Sequence, residues 1–398
     1  MIACGRVVAL RAGVVDAAMP PLPHGAAVCV EVRDGVRAGT VCASGPGSVT
    51  IRLRGSLAGI TCGARVREEL GVIHAPGVAG LGRCIEAETP FAFPALERAP
   101  VDRPLFIGVR AVDALLTIGR GARIGIFGSP GAGKSTLLET IVRGTEADAV
   151  VVALIGERGR EAQEWRERLD ARTSIVCATS DRPAAVRVTA AEAATAQAAA
   201  LAARGLHVLL VLDSLARVAA ALRELAIDEG ERVGRAGYPP SVFAALARLC
   251  ERAGSFRCGS VTMIATVLTD GDDRDPVSEA ARSLLDGHIA LSPDLARAGR
   301  YPAIDVPASA SRTMHAVAGP AHAAAAQRVR AALALLAATA EARALGLDSP
   351  DPRVQAALAA EASLEGLLRQ GREPVVGAAS LEAVRQTADI LGEPYGHH

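Results

Sequence analysis

Eight consecutive residues, Gly128-Ser129-Pro130-Gly131-Ala132-Gly133-Lys134-Ser135, have the spacing G-x-x-x-x-G-K-S. They stand directly between a short apolar run, Arg123 to Phe127, and a helix-forming stretch, Thr136 to Val142. The order carries the meaning. Glycines let backbone N–H groups converge on phosphate oxygens, and a helix starting there adds the positive end of its dipole, so strand, loop and helix form an anion cradle. Lys134 would neutralise the β and γ oxygens of a nucleotide, the Ser135 hydroxyl would ligate Mg²⁺, and the phosphate-binding run would extend from Gly128 to Thr136. A Gly-rich turn with a chance lysine is the competing interpretation. Composition argues against it: the chain has 42 arginines but Lys134 is its single lysine, and asparagine is absent. A bias that removed lysine elsewhere spared a position where a compact ammonium does what a planar guanidinium cannot.

The cradle sits in a chain of 398 residues, long enough for two or three domains with large cores. Residues 1–90 read as short β-strands between turn residues: Val28 to Val32, Ser48 to Leu53, and Ala64 to Val66 with its flanks, punctuated by Gly35, Gly45, Gly47 and Gly55. That spacing predicts a small barrel or sandwich. A Pro-bearing linker, 91–104, follows. From 105 to 314 apolar strands alternate with longer helical stretches, the pattern of a parallel α/β sheet. Ala149 to Ile155 and Val208 to Leu212 are almost wholly apolar, as strands buried on both faces are. Residues 315–398 turn to Ala/Leu/Glu/Arg segments broken at Pro350, Pro352 and Pro374, a C-terminal helical domain. The Ala-rich stretches 184–203 and 321–342 carry recurrent Arg and Glu, and are expected to be solvated amphipathic helices.

Charge and hydropathy narrow the function. With 43 basic against 43 acidic side chains and half of the residues apolar, the chain fits neither a disordered protein nor a polybasic nucleic-acid binder. No apolar run approaches the ~20 residues of a bilayer helix, and the N-terminus lacks a signal-peptide pattern, so a cytoplasmic location is expected. The eight cysteines are scattered, with no C-x-x-C pair and no histidine at zinc-finger spacing. Reduced thiols are expected, and a protein metal site is not.

Three further residues are candidates for chemistry. Asp213 ends the apolar run at Leu212, where a phosphate-loop protein places the acid that holds Mg²⁺; a strand-end aspartate also serves as a helix cap. Glu157 and Arg158 follow the run that ends at Ile155 and Gly156, and ligands of an open parallel sheet lie at the carboxyl ends of its strands. Glu157 would orient water as a base and Arg158 would meet the γ-phosphate. Spacing alone leaves open a surface ion pair with Arg160 or Glu161.

Five longer runs carry a resemblance. These are Gly156-Glu157-Arg158-Gly159-Arg160-Glu161, Ala178-Thr179-Ser180-Asp181-Arg182-Pro183-Ala184, Gly237-Tyr238-Pro239-Pro240-Ser241-Val242-Phe243, Leu285-Asp286-Gly287-His288-Ile289 and Tyr301-Pro302-Ala303-Ile304-Asp305-Val306. Together, over residues 101 to 314, the chain resembles the type III secretion ATPases, relatives of the flagellar export ATPases and of the rotary ATP synthase catalytic subunit. Asp181-Arg182-Pro183-Ala184 looks closer to the injectisome members than to the flagellar ones. The resemblance implies a RecA-like core, Glu157 as catalytic carboxylate, Arg158 as γ-phosphate contact and Tyr301 as the aromatic stacked on adenine. It also implies that Arg312, in Ser309-Ala310-Ser311-Arg312, is an arginine finger reaching a neighbouring subunit's site; nothing else marks it among 42 arginines. From the residues alone, a core tyrosine is the favoured reading of Tyr301.

The resemblance further implies a Mg²⁺-dependent ATPase working as a homohexamer that releases and unfolds chaperone-bound export substrates. Central-stalk and stator proteins of the secretion apparatus, chaperone–effector complexes and the inner face of the membrane would be its partners, with no nucleic acid among them. The chain departs from the family at both ends. Met1 begins near the first barrel strand, so an upstream segment is expected to be missing. The Gly-rich stretch after the barrel is reduced to Gly82-Arg83-Cys84-Ile85-Glu86-Ala87. Gly271-Asp272-Asp273-Arg274-Asp275-Pro276 is one residue short of the usual loop, which bears on coupling to a stalk. Besides the flagellar and rotary-synthase roles, two other classes stand as alternatives: an RNA-translocating ring and a non-catalytic nucleotide-binding scaffold. Residues 1–90 contain no Phe, Tyr or Trp and set nine arginines against seven acids, which disfavours RNA. Retention of Glu157 disfavours the scaffold.

Overall fold

A computed structural model describes residues 3–11, 14–23, 25–32, 35–53, 57, 59–68, 84–85, 98–168, 170–269, 275–347 and 349–392. Gly55, most of the Gly82 to Ala87 stretch, the first half of the 91–104 linker and Gly271 to Arg274 lie outside the described residues. The chain forms two compact units, one of residues 1–91, 152–197 and 213–249, the other of 92–151, 198–212 and 250–398.

In the first unit, alternation makes a barrel. Along Ser48–Leu53 the residues Val49, Ile51 and Leu53 are buried while their neighbours are not, the period-two signature of a strand with one face inward. Six antiparallel strands close on one another: Cys4–Arg11, Val14–Ala18, Ser48–Leu53, Gly35–Gly45, Ala27–Val32 and Arg65–Glu68, in that spatial order. With no aromatic available, the interior is filled by aliphatic side chains such as Val15, Val28, Val30, Val41 and Ile51. Gly39 lets two strands approach, since a Cβ there would lie 2.6 Å from the Ile51 side chain. Three strands of the barrel were not named from the sequence. Cys4–Arg11 shows why: only Val7 of its eight residues is buried, so its alternation is faint. Arg52 joins the barrel to Glu229, which caps the helix Leu215–Asp228.

In the second unit, Ser260–Leu268 is buried along nearly all its length and pairs in parallel with Arg123–Gly128 on one side and His207–Asp213 on the other. Gly287–Leu291 lies parallel to Arg123–Gly128 on its outer side, and Ile304–Ser311 closes this edge antiparallel to it. Parallel neighbours require crossovers of helix length, and that is what the alternating sequence supplies. The C-terminal helix Pro320–Ala338 packs on Gly377–Leu391, Pro352–Ala359 and the short helix Arg110–Leu115. It buries Ala325, Ala326, Val329, Ala332 and Leu333, one face at helical spacing. Cys250 is fully buried, and burial pushes its thiol up to about 12, so it is an inert core thiol.

The other Ala-rich helix, Ala184–Ala202, departs from its expectation. It is not solvated: Ala190, Ala191, Ala194, Ala196, Ala198, Leu201 and Ala202 are all at or below 2% exposure. Methyl side chains let neighbours close in, so most of this Ala-rich helix is covered although it carries Arg187 and Glu192. Among the described residues no helix is long and apolar enough to cross a membrane, and no group of three or more His, Cys, Asp or Glu side chains is arranged to hold a metal ion.

Candidate active site

Arg123–Gly128 delivers the chain into a loop whose backbone only glycine adopts without strain at two points. Gly131 has φ +83° and Gly133 φ +88°, a left-handed conformation that costs other residues roughly 1–2 kcal/mol. Gly133 is the N-cap of the helix Lys134–Gly144, and no side chain caps that helix. The opening N–H groups of a helix have no acceptor within the helix and by its geometry point toward the preceding loop, which suits them to an anion. Lys134 Nζ donates to Gly128 O at 2.6 Å and Ser129 O at 2.7 Å, so the ammonium is drawn over the loop it would share with a phosphate. Gly128 and Ala132 are buried, Ser129 is half-buried, and Pro130, Gly131, Ser135 and Thr136 are exposed along the rim.

The loop opens on a cavity of about 490 Å³. Gly131, Ala132, Gly133 and Thr136 form its floor, and Tyr301, Gln370 and Arg372 stand on the opposite wall. Tyr301 is 49% exposed, and its ring carbons lie 3.7 Å from where a Cβ of Gly133 would project, so an aromatic face overhangs the loop. It is not a core tyrosine. Gln370 anchors the wall. Its Oε1 accepts from Arg110 N at 2.8 Å, its Nε2 donates to Gly108 O at 2.8 Å and Glu373 O at 2.9 Å, and its backbone N–H donates to Tyr301 O at 2.9 Å. Sequence reading missed Gln370 and Arg372, which no local pattern distinguishes in the C-terminal helical segment. Behind the wall, Asp113 is 1% exposed and accepts from Ile107 N at 2.9 Å and Gly108 N at 3.0 Å. Burial pushes its carboxyl up to about 7, against the pull of those two bonds.

A second cluster stands at the carboxyl ends of Ala149–Ile155 and His207–Asp213. Glu157 is 8% exposed, and Arg217, in the first turn of Leu215–Asp228, donates to both its oxygens: Nε to Oε1 at 2.8 Å and Nη2 to Oε2 at 3.4 Å. This salt bridge, rather than one with Arg160, is the ion pair Glu157 makes; Arg160 turns to Glu164. Gly156 permits the contact, since a Cβ there would lie 2.9 Å from Arg217 Cδ. Burial, then the charge of nearby Asp213, push the Glu157 carboxyl up to about 7, and Arg217 pulls the other way. Asp213 is itself 9% exposed, and the adjoining helix is capped by Ser214, whose side chain accepts from Arg217 N, so the cap is the residue after the aspartate. Arg217 escaped the sequence reading because one arginine four residues past a strand end has no local signal.

Arg158 is exposed and is the N-cap residue of Gly159–Glu167. Arg312 is exposed just beyond Ile304–Ser311 and does not line the cavity described above. The structure thus gathers the loop with Tyr301, gathers Glu157 with Asp213 and Arg217, and leaves Arg158 and Arg312 exposed.

The model for the ATP synthase alpha/beta family, nucleotide-binding domain, matches residues 108–311. The chain is 41% identical over 370 residues to the type 3 secretion system ATPase of Pseudomonas syringae pv. syringae, covering 84% of this chain and 82% of that one. It is 44% identical over 312 residues to the flagellum-specific ATP synthase of Salmonella typhimurium, 75% of this chain and 67% of the other. Among solved structures it is similar to the assembled ATPase EscN in complex with its central stalk EscO, from the type III secretion system of enteropathogenic E. coli. That likeness has a TM-score of 0.84 at 34% identity and covers 96% of this chain and 100% of the other.

Proposed function

We propose, since this chain belongs to the type 3 secretion system ATPases, that its hydrolysis of ATP drives protein export from a homohexameric ring with nucleotide sites between subunits. The observation that carries this reading is the uncapped helix Lys134–Gly144, with Lys134 drawn over its loop and Tyr301 overhanging it. Backbone amides from Gly128 to Thr136 and the Lys134 ammonium hold the β and γ phosphates, while Tyr301 offers a face for adenine.

Hydrolysis proceeds by in-line attack of water on the γ-phosphorus, with the bond to the β–γ bridging oxygen breaking and ADP leaving. Glu157 orients that water and takes its proton; a carboxyl raised to about 7 is a base matched to neutral pH. Arg158 and Arg217 stabilise charge on the transferred group, and Arg312 of one subunit does so in its neighbour's site. Mg²⁺ fits the donor set: the Ser135 hydroxyl and the Asp213 carboxylate are hard oxygens, and too few to hold the ion without phosphate and water. When bound it would neutralise phosphate charge.

The same reading extends to the division into barrel (1–90), linker (91–104), ATPase core (105–314) and helical domain (315–398). It also covers release and unfolding of chaperone-bound substrates, contact with central-stalk and stator proteins, and work in the cytoplasm at the inner face of the membrane. The EscN–EscO assembly supports a stalk partner. A flagellar export role is the second reading, favoured by the identity to the Salmonella protein; complementation of injectisome and flagellar ATPase deletions in parallel separates the two. The deciding assay is phosphate release from MgATP against protein concentration. A steep rise with concentration, abolished by Lys134→Ala, is expected; a rate per subunit independent of concentration removes the shared site. Stimulation by RNA would restore the translocase class.

A further inference from the structure

Arg312 has an exposed side chain on a heavily anchored backbone. Ser311 Oγ donates to Thr117 O at 2.8 Å, Arg312 N donates to Asp286 O at 2.9 Å, and Thr313 Oγ1 accepts from Gly119 N at 3.2 Å. Beside them Gly287 must be glycine, because a Cβ would lie 2.6 Å from Ala310 O. Asp286, which holds the middle residue, is itself clamped. Its Oδ2 accepts from Arg123 N at 2.9 Å and from Arg123 Nε at 3.1 Å, and its own N–H donates to Arg123 O at 2.7 Å. The far side of the Arg123 guanidinium pairs with Glu251, whose other oxygen pairs with Arg98 at 2.7 Å. The Arg123 side chain is only 16% exposed, so this is a half-covered network rather than a solvated surface pair.

Arg123 opens the strand that ends at the phosphate loop, and six extended residues put the two ends roughly 17 Å apart. At that distance the clamp makes no contact with a nucleotide bound to its own loop. A guanidinium on a long arm, however, magnifies any tilt of the backbone that carries it. We propose that the Arg123–Asp286 pair is a positioning element for Arg312 and acts on hydrolysis in trans, in the neighbouring subunit's site. The proposal rests on the reading of Arg312 as a finger.

Mixed rings of the full chain test it. A receiver subunit carries Arg312→Ala and an intact phosphate loop, and a donor carries Lys134→Ala and an intact Arg312; each alone is inactive and the mixture recovers hydrolysis. Asp286→Asn is then placed on the donor or on the receiver, with ring assembly followed by light scattering. On the donor it should lower the recovered kcat about tenfold, as expected for a catalytic group displaced by a fraction of an ångström, with KM for ATP unchanged. On the receiver the change should stay under about twofold, within the scatter of a site the clamp does not touch. Equal losses in both arms, or a loss confined to the receiver, overturn the proposal. Arg123→Lys, which keeps the charge and loses the fork, should repeat the donor-only effect. If both variants abolish assembly, the pair serves folding and the proposal fails. If the parent mixture recovers nothing, the finger reading fails first, before Asp286 is altered.

Discussion

Arg217 Nε lies 2.8 Å from Glu157 Oε1, and the same guanidinium reaches Oε2 at 3.4 Å, so the proposed base is held by a cation from the helix that follows Asp213. Burial and Asp213 raise the Glu157 carboxyl to about 7 and Arg217 opposes them. Only the ionised form is a base, so kcat/KM should rise with pH through an acid limb near 7. Removing the opposing cation lifts the carboxyl further. Arg217→Ala should therefore move that limb to higher pH as well as slow the reaction, and pH–rate profiles of both proteins measure it. An unmoved limb would separate Glu157 from the titration.

Glu157→Gln keeps size and one acceptor for Arg217 but cannot take a proton. Turnover should fall by about 10²–10⁴-fold, the usual worth of a general base. Nucleotide affinity, read by equilibrium binding of a fluorescent ATP analogue, should stay within roughly threefold, because the phosphates are held elsewhere. Normal turnover in this variant would remove Glu157 from the chemistry.

Lys134→Arg tests whether charge alone suffices. A guanidinium is too broad to place one donor between Gly128 O, Ser129 O and a phosphate, whereas an ammonium is compact. Loss of charge-assisted hydrogen bonds worth about 1.5–3 kcal/mol should weaken nucleotide binding at least tenfold. Titration calorimetry with MgATP gives the comparison with Lys134→Ala; tight binding by the arginine variant would contradict the requirement.

Gln370→Ala cuts side-chain bonds to Arg110, Gly108 and Glu373 behind Tyr301. At about 0.5–1.5 kcal/mol per hydrogen bond, the wall facing the loop should loosen enough to raise KM for ATP about tenfold. The expected kcat is near that of the parent, since no reacting group is altered. Steady-state kinetics separate the two constants.

Asp113→Ala leaves two buried N–H groups, of Ile107 and Gly108, without their acceptor and should cost about 2–4 kcal/mol in denaturant unfolding. The native carboxyl titrates near 7, above the range of an unfolded aspartate, so between about pH 4 and 7 the folded chain binds the extra proton. That contribution is fully present below pH 4 and is lost as pH rises through 7. Stability of the parent relative to the alanine variant should decline across that window.

Much of the core was legible because it is local. Strand, loop and helix around Lys134 are consecutive residues, and of the two loop glycines with positive φ, Gly133 is fixed by the motif while Gly131 stands at one of its open positions. Val208 to Leu212 read as a buried strand because its apolar run is continuous. The barrel strand Cys4–Arg11 was not legible, since a single buried valine leaves almost no alternation to see. The helix Ala184–Ala202 misled for the opposite reason: its charges suggested water, while its methyl groups let most of it be covered.

The amino-acid order alone determined the strand, loop and helix that we propose hold phosphate, because such a cradle is made of neighbouring backbone amides and needs no distant partner. Only the tertiary structure decided which of 42 arginines faces Glu157, which glutamine braces Tyr301 and which aspartate holds the backbone of Arg312. Those are meetings of side chains far apart along the chain, and their strength comes from the burial and charge that folding brings together.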